Sequence, residues 1–182
     1  MIGGSVTARG QVNAARLLPG RDEIRTALGS AVDLQVSRQP GTARSIGSVI
    51  AAAARDSAFR SYAGSISIEG TDRPLAVGTM ALVFHSEQAA ESTFGQVAAA
   101  AHLRTRIGEC NVAVETVTAA SGLVSYWGYL YRRECLVIMT LDTVDPQKVS
   151  MTEFRALMTA EAERIEAAVS PHPPTTSSTS SS

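Results

Sequence analysis

The chain has little of what most chemistry needs. Among its 182 residues are two cysteines and three histidines. Metal sites need clustered ligands at short spacing, and neither Cys-x-x-Cys nor His-Glu-x-x-His occurs, so no metal site is expected. No P-loop and no Gly-x-Gly-x-x-Gly is present to cradle a phosphate, and no cofactor is expected. A hydrolase sets a nucleophile beside an oriented base, yet there is no Gly-x-Ser-x-Gly elbow. His85 ends an expected strand, His102 ends an expected helix and His172 lies in the tail, places typical of surface histidines. Glu161, Glu163 and Glu166, beside Arg164, read as a solvated helix face. No catalytic residue is assigned.

Charge of one sign is also lacking. The formal net charge is −1, which gives no electrostatic reason to expect nucleic acid or an anionic membrane as partner. The small clusters Arg104 with Arg106, and Arg132 with Arg133, read as solvated edges. Long apolar runs are absent too. The longest, Leu75 to Phe84, suits a buried strand and is too short to span a bilayer. Residues Met1 to Gly10 contain no hydrophobic core, so no signal peptide is read there. The chain is either cytoplasmic, or its export signal or membrane segment lies outside it.

What is present is a globular pattern, with 45% apolar residues. Residues 1–15 are small and polar, 16–169 form one α+β domain, and 170–182 are a Pro/Ser/Thr tail expected to act as a flexible linker or stalk. A first helix is expected over Pro19 to Leu28, with Ile24 and Leu28 on one face. Val32, Leu34 and Val36 alternate as a strand. Pro40-Gly41 marks a turn. Ile46, Val49, Ile50 and Ala53 trace a helical stripe. Tyr62 to Glu69 and Leu75 to Phe84 read as two strands of a hairpin. Ser86 caps a helix expected to run to about His102. Asn111 to Ala119, Leu123 to Arg133 and Cys135 to Thr143 read as three strands, with Ser121-Gly122 joining the first pair and a bulge or very tight turn near Arg133-Glu134 joining the second. Ser150-Met151-Thr152-Glu153 is a capping box for a last helix ending at Val169. Short links between strands imply antiparallel pairing. The expected fold is therefore α+β, an antiparallel sheet of about six strands with helices packed on one face.

Two features stand out from this frame. Cys110 and Cys135 both begin expected strands. A bond between them would contribute about 3.5 kcal/mol by chain entropy, whereas unbonded they would be two small buried apolar side chains. Trp127, Tyr129 and Tyr131 alternate onto one face of one strand, with Tyr126 and Leu130 on the other. Such a row either lines an apolar groove or protein contact, or is ordinary core.

Leu17-Leu18-Pro19, a short helix ending Ala27-Leu28-Gly29, the strand-to-helix run from Ala81 to Phe94, and Cys110 and Cys135 flanking a β-meander before an Ala/Glu-rich closing helix together resemble a known family. It is the extracellular sensor domain of mycobacterial receptor-type serine/threonine kinases, with related mycobacterial lipoproteins. The chain departs from it in having no earlier cysteine pair. The resemblance implies an exported envelope domain with a ligand groove and no activity of its own, and a Cys110–Cys135 disulfide. The reading is a non-catalytic ligand-binding or sensor-like domain, not an enzyme, taking an unidentified small molecule or lipid. Trp127, Tyr129 and Tyr131 would line the groove, and Arg132 or Arg133 would steer an anionic group at its mouth. The alternative is a protein-interaction module using the sheet face or edge. A third reading is an enzyme whose site carries no local signature.

Overall fold

The computed structural model describes residues 12–28, 34–39, 59–69, 75–144 and 150–170. After a 3-10 turn over Ala14–Leu17 come α1 (Arg21–Leu28), β1 (Leu34–Gln39), β2 (Phe59–Glu69), β3 (Leu75–Phe84) and α2 (Glu87–Val97). Then follow β4 (Leu103–Ile107), β5 (Cys110–Thr118), β6 (Val124–Arg132), β7 (Cys135–Thr143) and α3 (Met151–Val169). The helical stripe expected over 46–54 and the turn at Pro40-Gly41 lie outside the described residues.

Local chemistry starts the helices where the sequence signals them. The Gly20 N–H donates to Glu23 Oε2 at 2.6 Å ahead of α1. Ser86 Oγ accepts the Ala89 N–H at 3.2 Å at the head of α2. At α3 the Ser150 N–H donates to Glu153 Oε2 at 2.6 Å, the reciprocal half of a capping box. Helix α2 stops earlier than its alanines suggest. Arg104 Nη2 donates to the Ala98 carbonyl at 2.9 Å, satisfying an end carbonyl, and the chain turns into β4.

The seven strands form one sheet in the order β1-β2-β3-β7-β6-β5-β4, every described neighbour pair antiparallel. From β3 the chain crosses through α2 to the far edge and returns strand by strand. The last strand, β7, therefore closes against β3, with Val83 opposite Cys135 and Leu75 opposite Thr143. The seventh strand is β4, which was not expected. Its Arg104, Thr105 and Arg106 are exposed, with only Leu103 and Ile107 turned inward, so it carries too little alternation to read as a strand. Charged residues of this kind are normal on an edge strand.

The α+β class and the antiparallel sheet stand as expected, but the helices do not share one face. Val83, Leu130, Val137 and Met139 pack with Phe154, Leu157 and Ile165 of α3 and with α1. The alternate residues Leu82, Tyr131, Leu136 and Ile138 pack with Ala90, Phe94 and Val97 of α2. The reason lies in β3 and β7. Their apolar side chains run through successive positions, so both faces need cover; α1 and α3 supply the first, α2 the second.

Gly128 sets how closely α3 approaches. A Cβ at this position would stand 2.6 Å from Met158 Sδ and 3.0 Å from Phe154 Cζ. Beside it, Phe154 stacks on Tyr126 with ring centroids 5.9 Å apart. Overpacking of this kind costs about 1–3 kcal/mol. Gly128→Ala should lower the denaturation midpoint by a corresponding amount in urea unfolding; an unchanged midpoint would mean that α3 is not seated this tightly.

A polar brace joins α1 to α3. Arg164 pairs with Glu23 of α1, and its Nε donates to Glu161 Oε2 at 3.2 Å. Glu161 is 1% exposed, and its Oε1 has no hydrogen-bond partner among the described residues. Burial pushes its carboxyl up to about 8 against the opposing pull of Arg164. A carboxyl raised in the fold adds stability that is complete below its ordinary value and disappears as pH climbs through the raised one. Glu23 shifts the opposite way. Burial raises it, but the Gly20 N–H and Arg164 together outweigh that, so its contribution fades only on acidification. The melting temperature should fall between about pH 4.5 and pH 8, and Glu161→Gln should flatten that slope. An equal slope in the variant would contradict the assignment to Glu161.

Candidate functional site

Strand β6 places Trp127, Tyr129 and Tyr131 on the face that carries α2, as their alternation implies. They are not equivalent there. Tyr131 is 6% exposed and stacks on Phe94 of α2, centroids 5.5 Å apart and planes at 26°. Tyr129 is 5% exposed. Its ring lies 6.5 Å from that of Trp127 with planes at 24°. Trp127 is only half-buried.

The difference comes from the reach of α2. A helix of 11 residues is about 16 Å long, whereas strands of nine or ten residues extend about 30 Å. Under the helix both faces of the sheet are buried, as at Leu136, Val137, Ile138 and Met139 of β7. Past it only the α3 face stays buried. Leu141 and Thr143 are covered, while the alternate residues Thr140 and Asp142 are partly exposed. On β6, Ser125 and Trp127 open likewise while Val124, Tyr126 and Gly128 stay buried. On β3, Gly78 and Met80 open against buried Val77 and Thr79. Gly78 leaves the floor low here, since a Cβ on it would meet Thr140 Oγ1 at 2.5 Å. The result is a shelf on the second face, with Trp127 at the step where the cover of α2 ends.

The charged side chains on this stretch of β5, β6 and β7 are acidic. Glu115 stands directly across from Trp127 in register. Asp142 lies across from Ser125, two rungs from the Trp127–Thr140 pair and the next pair on the same face. The Tyr129 hydroxyl donates to Glu115 Oε2 at 3.5 Å. Burial first, and then the Glu115 charge, pushes the Tyr129 phenol up to about 12. Burial, followed by Glu87 and Glu91, pushes Tyr131 to about 12. Both phenols stay protonated at neutral pH and can only donate to these carboxylates.

Arg133 does not join the aromatic row. It occupies the two-residue turn between β6 and β7 with φ 50°, a left-handed conformation that such a turn requires. Its Nη1 donates to the Val169 carbonyl at 3.1 Å, capping the negative end of α3. Arg132 pairs with Glu109. The expected steering of an anion at the mouth of the site is therefore not provided by this pair. Glu115, Thr140 and Asp142 were missed by sequence reading, because only cross-strand register sets the first two opposite Trp127 and the third opposite Ser125.

The expected Cys110–Cys135 disulfide is also corrected: both thiols are free and buried. Asn111 of β5 pairs with Tyr131, and Arg132 of β6 pairs with Cys135 of β7, so β6 runs between the two cysteines. Two strand spacings amount to about 9–10 Å, beyond the roughly 7 Å limit between bonded Cα atoms. Burial, then Glu166 and Glu161, pushes the Cys110 thiol up to about 12. Burial and Glu134, against Arg60, push Cys135 to about 12. Among the described residues, no three His, Cys, Asp or Glu side chains are grouped to hold a metal, and no helix is long and apolar enough to cross a membrane. His85 and His102 are exposed and stand on separate connections, before α2 and before β4.

No family model matches the chain, and no curated protein does. Its fold does have a solved counterpart. It is an α+β domain with a mostly antiparallel sheet and helices packed against it, and this arrangement is similar to that of a kinase ectodomain. The crystal structure of the extracellular domain of PknH from Mycobacterium tuberculosis matches with a TM-score of 0.60 at 10% sequence identity, covering 85% of this chain and 95% of that one. The likeness is one of fold, and it agrees with the sensor-domain resemblance carried by the sequence.

Cysteine chemistry supplies a direct check. A thiol reagent should leave the native protein unmodified and label two thiols on unfolding without reductant. Labelling of none after unfolding would restore the disulfide.

Proposed function

We propose that the chain is a non-catalytic, sensor-like ligand-binding domain of the actinobacterial cell envelope, and that its ligand rests on the shelf around Trp127. The observation that carries this reading is the loss of cover on one sheet face at a half-buried tryptophan, while the opposite face of β6 and β7 stays buried. Aromatic side chains exposed at a step in a rigid sheet offer contact area at little entropic cost. The fold shared with an extracellular kinase domain supports both the envelope location and the sensing role. Against an enzyme stand two thiols buried with raised pKa values and the exposed positions of His85 and His102 on separate connections. Against pairing of a protein partner along the β4 edge stand its exposed Arg104 and Arg106, which resist strand addition.

Native mass spectrometry tests the reading. Protein incubated with a mycobacterial envelope extract and then desalted should carry a discrete added mass. Trp127→Ala, and Ser125→Arg, which fills the shelf from a partly exposed position, should both lose it. An unchanged mass for the parent protein, or the same adduct on both variants, would contradict the proposal.

A further inference from the structure

The shelf has a definite charge character. The indole of Trp127 lies between two strands that each bring a carboxylate to the same face, Glu115 directly opposite on β5 and, on β7, Asp142 two residues beyond Thr140, its opposite number. The Tyr129 ring stands beside the indole, and its hydroxyl reaches towards Glu115 Oε2 at 3.5 Å. The arginines nearest in sequence are engaged elsewhere, Arg132 with Glu109 and Arg133 with the end of α3.

Resting on the ligand-binding reading above, we propose that the shelf takes a small soluble organic ammonium, seated over the Trp127 ring with Glu115 and Asp142 as its counter-charges. An aromatic face attracts a cation through its quadrupole, tryptophan most strongly. Two flanking carboxylates add Coulomb attraction in a site partly withdrawn from water. The same charges disfavour an anionic ligand. They also disfavour a zwitterionic lipid head group, whose phosphate would face Glu115 and Asp142 with neither Arg132 nor Arg133 available to it.

Trp127 is the chain's single tryptophan, so its emission reports on the site alone. Choline should change that emission saturably. Its neutral carbon isostere, 3,3-dimethylbutan-1-ol, should bind at least about fivefold more weakly. Glu115→Gln should weaken choline by a similar factor and leave the isostere unaffected, and added salt should weaken choline alone. Equal binding of choline and isostere would overturn the cation assignment, and so would a response to phosphatidylcholine vesicles without one to choline. Neither result would touch the shelf as a ligand site, because the envelope-extract adduct reads that separately. Silence of the emission towards choline, together with no adduct from the extract, would remove both.

Discussion

The seating of α3 across Gly128 is the contact on which the remaining architecture depends. With no side chain at that position, Met158 and Phe154 descend onto the sheet and α3 closes the first face over its length, α1 braced beside it by Arg164 and Glu23. Once that face is taken, the crossover from β3 has only the other face to use. Helix α2 goes there, and with 11 residues it covers part of the sheet and no more. The shelf is the remainder: a first face covered along β6 and β7, a short crossover helix and strands that outrun it.

Most of this framework is legible in the chain. Ser86 and the Ser150–Glu153 box mark their helices because capping is local chemistry. The alternation of Trp127, Tyr129 and Tyr131 places them together because strand geometry has a period of two. The sequence is silent where a property depends on a partner strand. Nothing local to Glu115 says that it will face Trp127, and nothing in the spacing of Cys110 and Cys135 says that β6 will separate them. Arg133 was misread for a similar reason. Its neighbour Arg132 suggests a basic cluster, while its role comes from the turn geometry and a distant helix end. The division of the helices between two faces is written in the continuous apolar character of β3 and β7, a signal that single-face alternation elsewhere obscures.

Electrostatics and cover reinforce one another at the proposed site. Beneath α2 the rings of Tyr129 and Tyr131 are buried, and their phenols lie near carboxylates. Where α2 ends, the same row presents Trp127 to solvent with acid on both flanks. A sensor needs a site whose occupancy changes something beyond it. Here the step at the end of α2 adjoins the helix whose Phe94 stacks on Tyr131, so a ligand on the shelf would press on the same packed layer that positions the helix.

The central claim is that Trp127 stands at an uncovered step where α2 ends, over a stretch of β6 and β7 whose opposite face is buried, and quenching of its emission by acrylamide measures this directly. The native protein should show a quenching constant between those of the unfolded chain and of a core indole, with Gly128→Ala altering stability while leaving that constant in place. A native Trp127 shielded from acrylamide as fully as a core residue would contradict the account.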